Sequence, residues 1–341
     1  MTALPPNNYA PGPWREAYDI CLRFERNAGD SQPKRLMCAR FLGYMVLEAP
    51  AVRGRDNFSN EIKSCANEEA LEKLAMLYIS HFVCCFRAAK GTPTSSTHPS
   101  RPSFENTKET LKYLLEEASQ NHTTAKAKAL IRDGYRCVLT GSYDVTCCDT
   151  MPTIGELVTT NGLPITATDA AYIFPESTNV EISGENKGAA KYDFATSVWA
   201  VMERFGQVLV TEELNGSAIH RLENVMTMDK TKHFFFDSLR LWLESTVRRI
   251  PDRVNSTKLG LRLDIPEFVT FTTPDPVNLP LPSSKYLHLH AACARVAHLS
   301  GAAEHVETVF RDMEELPVLM KDGTSADVLS YALARLGMAV H

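Results

Sequence analysis

The residues of this chain best suited to chemistry fall in two short blocks. AAYIFPESTN, 170–179, carries Tyr172, with Asp169 three positions before it and Glu176 four after it. HRLENVMTMDKTKHFFFD, 220–237, carries His220, Asn224, His233 and Asp237. His233 and Asp237 are four apart, which on a helix puts both side chains on one face, where they can reach one ion or simply stabilise each other as a pair. An imidazole, with an unperturbed pKa of about 6.5, exchanges protons at neutral pH, whereas a phenol, at about 10, stays protonated. Tyr172 is therefore suited to donate a proton, to anchor a hydrogen bond or to pack. It becomes a base only if a metal or cation lowers its pKa by several units.

The elements that must hold these residues can be read from periodicity and punctuation. RDGYRCVLTGSYD, 132–144, predicts a helix end at Asp133-Gly134, a strand over Tyr135–Thr140 and a turn at Gly141. The turn-rich stretch from Asp144 to Ala170 reads as a hairpin insertion, and a helix is expected over Tyr192–Phe205. Glu223–Met228 reads as a strand and Asp229–Glu244 as a helix capped by Asp229, with Phe235 and Leu239 buried and Lys232 exposed.

Upstream, apolar residues at helical spacing predict helices over Trp14–Asn27 and Arg35–Glu48. A third is expected over Ala70–Phe86, preceded by a turn after Asn60, with Leu71, Leu74, Leu77 and Ile79 facing inward. GTPTSSTHPSRPS, 91–103, has a linker's composition, and Phe104–Arg132 is helix-rich. The Pro-rich stretch 272–286 reads as a loop, followed by helices over Tyr286–Leu299, Ala302–Leu316 and Asp327–Leu336. The expected fold is mainly helical α+β, with a strand–strand–helix unit embedded in a helical protein. Its expected regions are a helical region 1–90, the linker 91–103, a central domain 104–250 and a helical region 251–341.

Length and composition narrow the classes. With 341 residues, 44% of them hydrophobic, the chain can bury a core, and a net charge of −5 supplies no global attraction to phosphate. The nine cysteines include no C-x-x-C pair. That argues against a disulfide framework or a zinc ribbon and fits buried thiols in a reducing compartment. Cys137 shares a predicted strand face with Tyr135 and Leu139, as a small buried thiol does. His288 and His290, two apart on a helix, point to different sides and suit no shared metal. The opening residues MTALPPNNYAPGPW resemble neither a signal peptide nor a membrane anchor, and no run reaches the ~20 apolar residues of a membrane span. The expectation is an intracellular protein, cytoplasmic or nuclear. No heptad or repeat specifies an oligomeric state.

Taken with IRDGYRCVLTGSYD, 131–144, the two blocks resemble the fungal HNH endonuclease-domain proteins. In that family the middle block reads AHI-x-P-E-S-T-N, and the last carries Asn followed nine positions later by His, as Asn224 and His233 are here. The resemblance covers about residues 125–245, and SKYLHLHAACARVAHLSGAAEHVETVFRDME, 284–314, resembles the tail that follows the domain in relatives.

It implies a ββα-metal unit in which the hairpin supplies a general base and its orienting residue, while the helix supplies a ligand to a divalent ion, Mg or Zn. Carried over, Tyr172 stands at the base position, Asn224 at the orienting position and His233 at the metal-ligand position. His220, Asp237 and Asp169 are secondary candidates, and Ala171 stands where many members have a second, carboxylate ligand.

Three readings follow. The first is a diverged nuclease-like protein, impaired in hydrolysis, that uses the scaffold to bind nucleic acid or in another intracellular role. The second is an active metal-dependent DNA endonuclease in which another residue or metal hydroxide replaces the base. The third is an enzyme or accessory protein of fungal specialised metabolism, with Tyr172 and His233 as an acid–base pair on a small molecule. Lys126, Lys128 and Arg132, with Lys230, Lys232, Arg248 and Arg249, form a phosphate-binding rim if they converge, and ordinary solvated helix faces if they do not. If Tyr172 alone disables an otherwise intact site, Tyr172→His restores cleavage.

Overall fold

The described residues of the computed structural model are 1–86, 121–175, 198–244, 252–255, 265–266 and 268–315. The segment 91–103, Glu176, Arg248, Arg249 and the helix expected over Asp327–Leu336 lie outside them. The chain divides into two compact units, each assembled from separate stretches. Met1–Ala89, Ser177–Glu213 and Leu289–His341 form the first, and Lys90–Glu176 and Leu214–His288 the second. The residues expected as a separate region 251–341 are thus divided between the two. Among the described residues the architecture is mainly helical with a few short strands, and no helix is long and apolar enough to cross a membrane.

In the first unit, α1 (Pro13–Ala28) and α2 (Pro33–Leu47) each begin on a proline, whose fixed φ suits a first helical turn. α1 buries one stripe, Ala17, Tyr18, Cys21, Phe24 and Ala28, whereas α2 is buried nearly all round and forms the centre of the unit. α3 (Val52–Ser64) contains Asn60, and the cap of α4 (Glu68–Tyr78) is Asn67, whose side chain accepts from Ala70 N at 2.9 Å. The inward face of α4 also differs from expectation: Leu71, Ala75 and Tyr78 are buried, Leu74 is half-buried and Leu77 is exposed. Six residues beyond Leu71, Leu77 has rotated about 600° and left the stripe. A π turn over Ile79–Val83 then re-aims the chain so that Phe82 and Val83 are buried.

The second unit holds the candidate residues. α5 (His122–Arg132) is capped by Asn121 and ends at Gly134, which has φ 67°; Tyr135 follows, also left-handed at φ 60°. Two successive residues of positive φ turn the chain sharply, and 135–140 is a tight loop rather than the expected strand. Only Arg136 forms a bridge, to Tyr143. The expected hairpin insertion is also different. β1 (Tyr143–Asp144) leads to two short helices, α6 (Val145–Thr150) and α7 (Pro152–Asn161), and β2 (Ile165–Thr166) returns parallel to β1. Buried Asp144 ties this excursion down. One oxygen accepts from Cys147 N at the start of α6, and the other accepts from Thr168 Oγ1 at 2.7 Å.

β3 (Thr168–Tyr172) pairs antiparallel with β4 (Val225–Asp229) in the register Thr168↔Asp229 to Tyr172↔Val225. α8 (Lys230–Asp237) follows directly and packs on both strands, as α5 does. Asp229 caps α8, accepting from Thr231 N and Lys232 N at 3.0 and 3.1 Å and also from Thr166 Oγ1. Asp229→Ala is expected to cost about 1–2 kcal/mol, read as a lowered urea midpoint at unchanged slope.

α8 stops seven residues short of its expected end. Leu239 adopts φ 58°, and Arg240 N and Leu241 N both donate to Phe235 O, so the chain leaves the helix and continues as β5 (Trp242–Glu244). Phe235, Phe236 and Leu239 are buried, Phe234 is half exposed, and Lys232 is half-buried beside Asp229 rather than exposed. β5 pairs with β6 (Asp252–Asn255), which pairs with β7 (Phe268–Val269). Among the described residues the last two helices are α9 (Ser284–Ser300) and α10 (Ala302–Glu315).

Candidate functional site

The pleat of β3 sorts the candidates onto two faces. Successive side chains alternate, so Ala170 and Tyr172 point one way and Asp169 and Ala171 the other. Ala170 and Tyr172 join Ala125 and Ala129 of α5, with Leu222, Val225 and Leu279, in one apolar cluster. The Tyr172 ring is buried there, stacked against His122 with ring centres 5.8 Å apart and planes at 18°. Its hydroxyl forms a 2.8 Å hydrogen bond with His220 Nδ1. With the phenol donating, Nδ1 is the acceptor and the imidazole proton sits on Nε2. Tyr172 is thus held between two imidazoles.

Asn224 is completely buried and spends its amide on the backbone. Nδ2 donates to Phe174 O at 3.0 Å and to Ile219 O at 2.9 Å, while Oδ1 accepts from Phe174 N at 2.8 Å. These bonds clasp the chain leaving β3 to the turn that precedes β4. Asn224 therefore positions the two segments that carry Tyr172 and His220, and it does so through main-chain atoms.

On α8, His233 Nε2 lies 3.2 Å from Asp237 Oδ2, one turn on. Burial disfavours the imidazolium, but the Asp237 hydrogen bond and charge, aided by Asp169, outweigh it and raise the His233 pKa above its ordinary value. Asp169 lies 3.3 Å from Lys126 Nζ of α5. Burial pushes its carboxyl up, and Lys126 together with the Ala170 N–H brings it below the usual value.

The linkage has a definite sign. Because the folded-state pKa of His233 is raised, its contribution to stability is complete below the unfolded value near 6.5 and is lost as pH rises through the folded value. In Asp237→Asn the His233 pKa is expected to fall and this neutral-pH loss to shrink. NMR titration of the His233 ring and urea midpoints across that window check both.

Those residues can be tested against the divalent ion that the sequence resemblance implies. His233 Nε2 is engaged by Asp237, Ala171 brings no oxygen, and Asp169 is paired with an ammonium whose charge also opposes a cation at His233. Among the described residues, no group of three or more His, Cys, Asp or Glu side chains is placed to hold a metal ion. As they stand, the groups around His233 make an ion-pair chain, Lys126–Asp169 and His233–Asp237, and do not fit a metal centre.

The structure therefore places His220 with Tyr172, and Asp169 and Asp237 with His233, in two clusters built on opposite-facing positions of β3. Sequence reasoning missed His122 as a site residue, and it considered Lys126 only for a phosphate-binding rim, not as the partner of Asp169. No local signal marks them, because both reach β3 from α5, an element distant from it in the sequence. Cys137 and Cys147 offer no activated thiol. Cys137 is buried and accepts from Asp229 N at 3.2 Å, and burial, with the Asp144 carboxylate, pushes the Cys147 thiol up to about 12. Compared with known proteins, the chain matches no protein-family model, no curated protein and no solved structure.

Proposed function

We propose that this chain is a diverged member of the fungal HNH endonuclease-domain proteins. In this reading β3, β4 and α8 keep the hairpin–helix scaffold, metal-dependent phosphodiester hydrolysis with Mg or Zn is impaired, and the scaffold serves to bind nucleic acid. The observation that carries it is the Lys126–Asp169 pair beside His233. A fixed ammonium attracts a phosphate as a point charge but generates no metal-bound hydroxide. Tyr172 adds a phenol where an imidazole base is expected, already engaged by His220.

Two assays test the reading: nicking of supercoiled plasmid with Mg²⁺ or Zn²⁺, and salt-dependent DNA or RNA retention. Background nicking with retention that weakens in Lys126→Ala supports it, and vigorous metal-stimulated cleavage by the wild type overturns it. A second reading, acid–base chemistry on a small molecule of specialised metabolism, is favoured by the Tyr172–His220 hydrogen bond and makes His220, in place of His233, the partner of the phenol. A ligand whose binding perturbs His220 while leaving His233 unchanged distinguishes it.

A further inference from the structure

Within the first unit, the residues before α1 form no helix or strand, yet residues 2–9 are held as a strap on α1, α2 and the end of α9. Thr2 N donates to Leu299 O at 2.8 Å, Tyr44 Oη donates to Ala3 O at 2.8 Å, and Tyr18 Oη donates to Pro5 O at 2.7 Å. The Glu25 carboxylate, paired with Arg40 at 2.6 Å, accepts from Leu4 N at 3.2 Å. Leu4 is the one buried residue of the strap, and it fills a slot left by Gly43, where a Cβ would lie 2.5 Å from both Leu4 methyl carbons. We propose that this seat is a receptor for an extended segment of the form small residue–Leu–Pro–Pro. Residues 2–9 occupy it as a ligand in cis, and a partner protein presenting the same chemistry displaces them.

The contacts are those of a bound peptide. Two phenols and a carboxylate read main-chain atoms while a single aliphatic side chain enters a slot, the way extended, proline-containing segments are recognised in grooves. The segment is also pre-organised. Pro5 and Pro6 fix φ at about −65° and bias Leu4 and Pro5 toward extended backbone, so little conformational entropy is lost on docking. Release is easy for the same reason that the contact is small: with one buried side chain the strap lies at the low end of local stability. Gly12, between Pro11 and Pro13, joins it to α1 at φ 152°, a conformation that favours glycine and makes this residue the softest joint between two fixed rings. The chemistry of the seat selects a protein partner. Hydroxyl donors meet carbonyls, Glu25 meets an N–H, and the slot takes an aliphatic group, whereas a phosphate placed there would face the Glu25 carboxylate.

The test uses the full chain and a fluorescent peptide with the sequence of residues 2–10, TALPPNNYA, followed by polarisation. Leu4→Gly empties the slot, and this variant is expected to bind the peptide saturably and about ten-fold or more tightly than the wild type, whose own strap competes at an effective concentration on the order of mM. Adding Tyr44→Phe, which removes the donor to Ala3 O, is expected to weaken that binding about three-fold or more, and the same peptide with glycine in place of leucine is expected not to bind. No saturable binding to Leu4→Gly, or equal binding of the glycine peptide, overturns the proposal. A second measurement needs no substitution. Excess peptide is expected to speed hydrogen exchange at the Leu4 N–H of the isotope-labelled wild type, and unchanged exchange overturns the displacement. A wild-type dimer that the peptide dissociates also overturns the assignment, since the seat then takes the strap of a second copy.

Discussion

Nicking of supercoiled plasmid by Tyr172→His is expected to stay at the wild-type background, because in the proposed HNH reading the phenol is one of three departures, with Ala171 and the Lys126–Asp169 pair. Removing the ammonium and supplying a carboxylate, as Lys126→Ala with Ala171→Asp, rebuilds the surroundings of His233 but leaves no base. Adding Tyr172→His to that pair is expected to raise Mg²⁺-stimulated nicking by about 10² to 10⁴ over the double variant, the range that a positioned general base contributes. Sequence reasoning alone makes the single substitution the natural rescue. The Lys126–Asp169 pair, 3.3 Å long and beside His233, is what changes the expectation. Circular dichroism must accompany the assay, since Tyr172 is buried among Ala125, Ala129 and Leu222. A ten-fold or greater gain from Tyr172→His alone would mean that Lys126 does not obstruct the site, and equal rates for the double and triple variants would remove the base position's meaning.

Arg132→Met is expected to lower folding stability by about 3–5 kcal/mol, the cost of breaking a buried ion pair from one side. The Arg132 side chain is fully buried and makes five hydrogen bonds. Two reach the Asp133 carboxylate, at 2.7 and 3.0 Å, and the others reach Leu222 O, Val225 O and Pro280 O. One guanidinium thus joins the end of α5, the start of β4 and the loop before α9. Methionine fills similar volume but leaves the Asp133 charge with Thr227 N, at 2.9 Å, while the Leu222, Val225 and Pro280 carbonyls lose a donor. The double variant Arg132→Met/Asp133→Asn should cost less than the sum of the single changes, because each single change strands its partner. Urea denaturation of the four proteins gives the coupling, and a loss below about 1 kcal/mol for Arg132→Met would show that the clamp contributes little.

Some of this was legible from residue order. The apolar stripe Tyr18–Cys21–Phe24, the strand before Asp229 and Asp229 as a cap are local patterns, whereas the partner strand Thr168–Tyr172 fell in a stretch that read as a turn-rich insertion. The pairing of His233 with Asp237 is local as well, since four residues on a helix make one turn. Local patterns also explain the errors. Tyr135–Thr140 alternates like a strand, and Phe235–Trp242 continues an apolar pattern like a helix. What ended each was a left-handed residue other than glycine, at Tyr135 and at Leu239. Such residues carry no marker in the sequence, because tertiary contacts hold them there against their own preference.

The sequence by itself thus determined most of the helices, the strand and cap around Asp229, and which side chains carry proton-transfer or charged groups. Only the tertiary structure decided the partners: His220 for Tyr172, Lys126 for Asp169, and three distant carbonyls for Arg132. The reason is physical. Periodicity records burial, which any apolar neighbour satisfies, whereas a hydrogen bond or ion pair needs a particular atom within about 3 Å. Loop paths and strand register bring that atom there from 43 to 148 residues away.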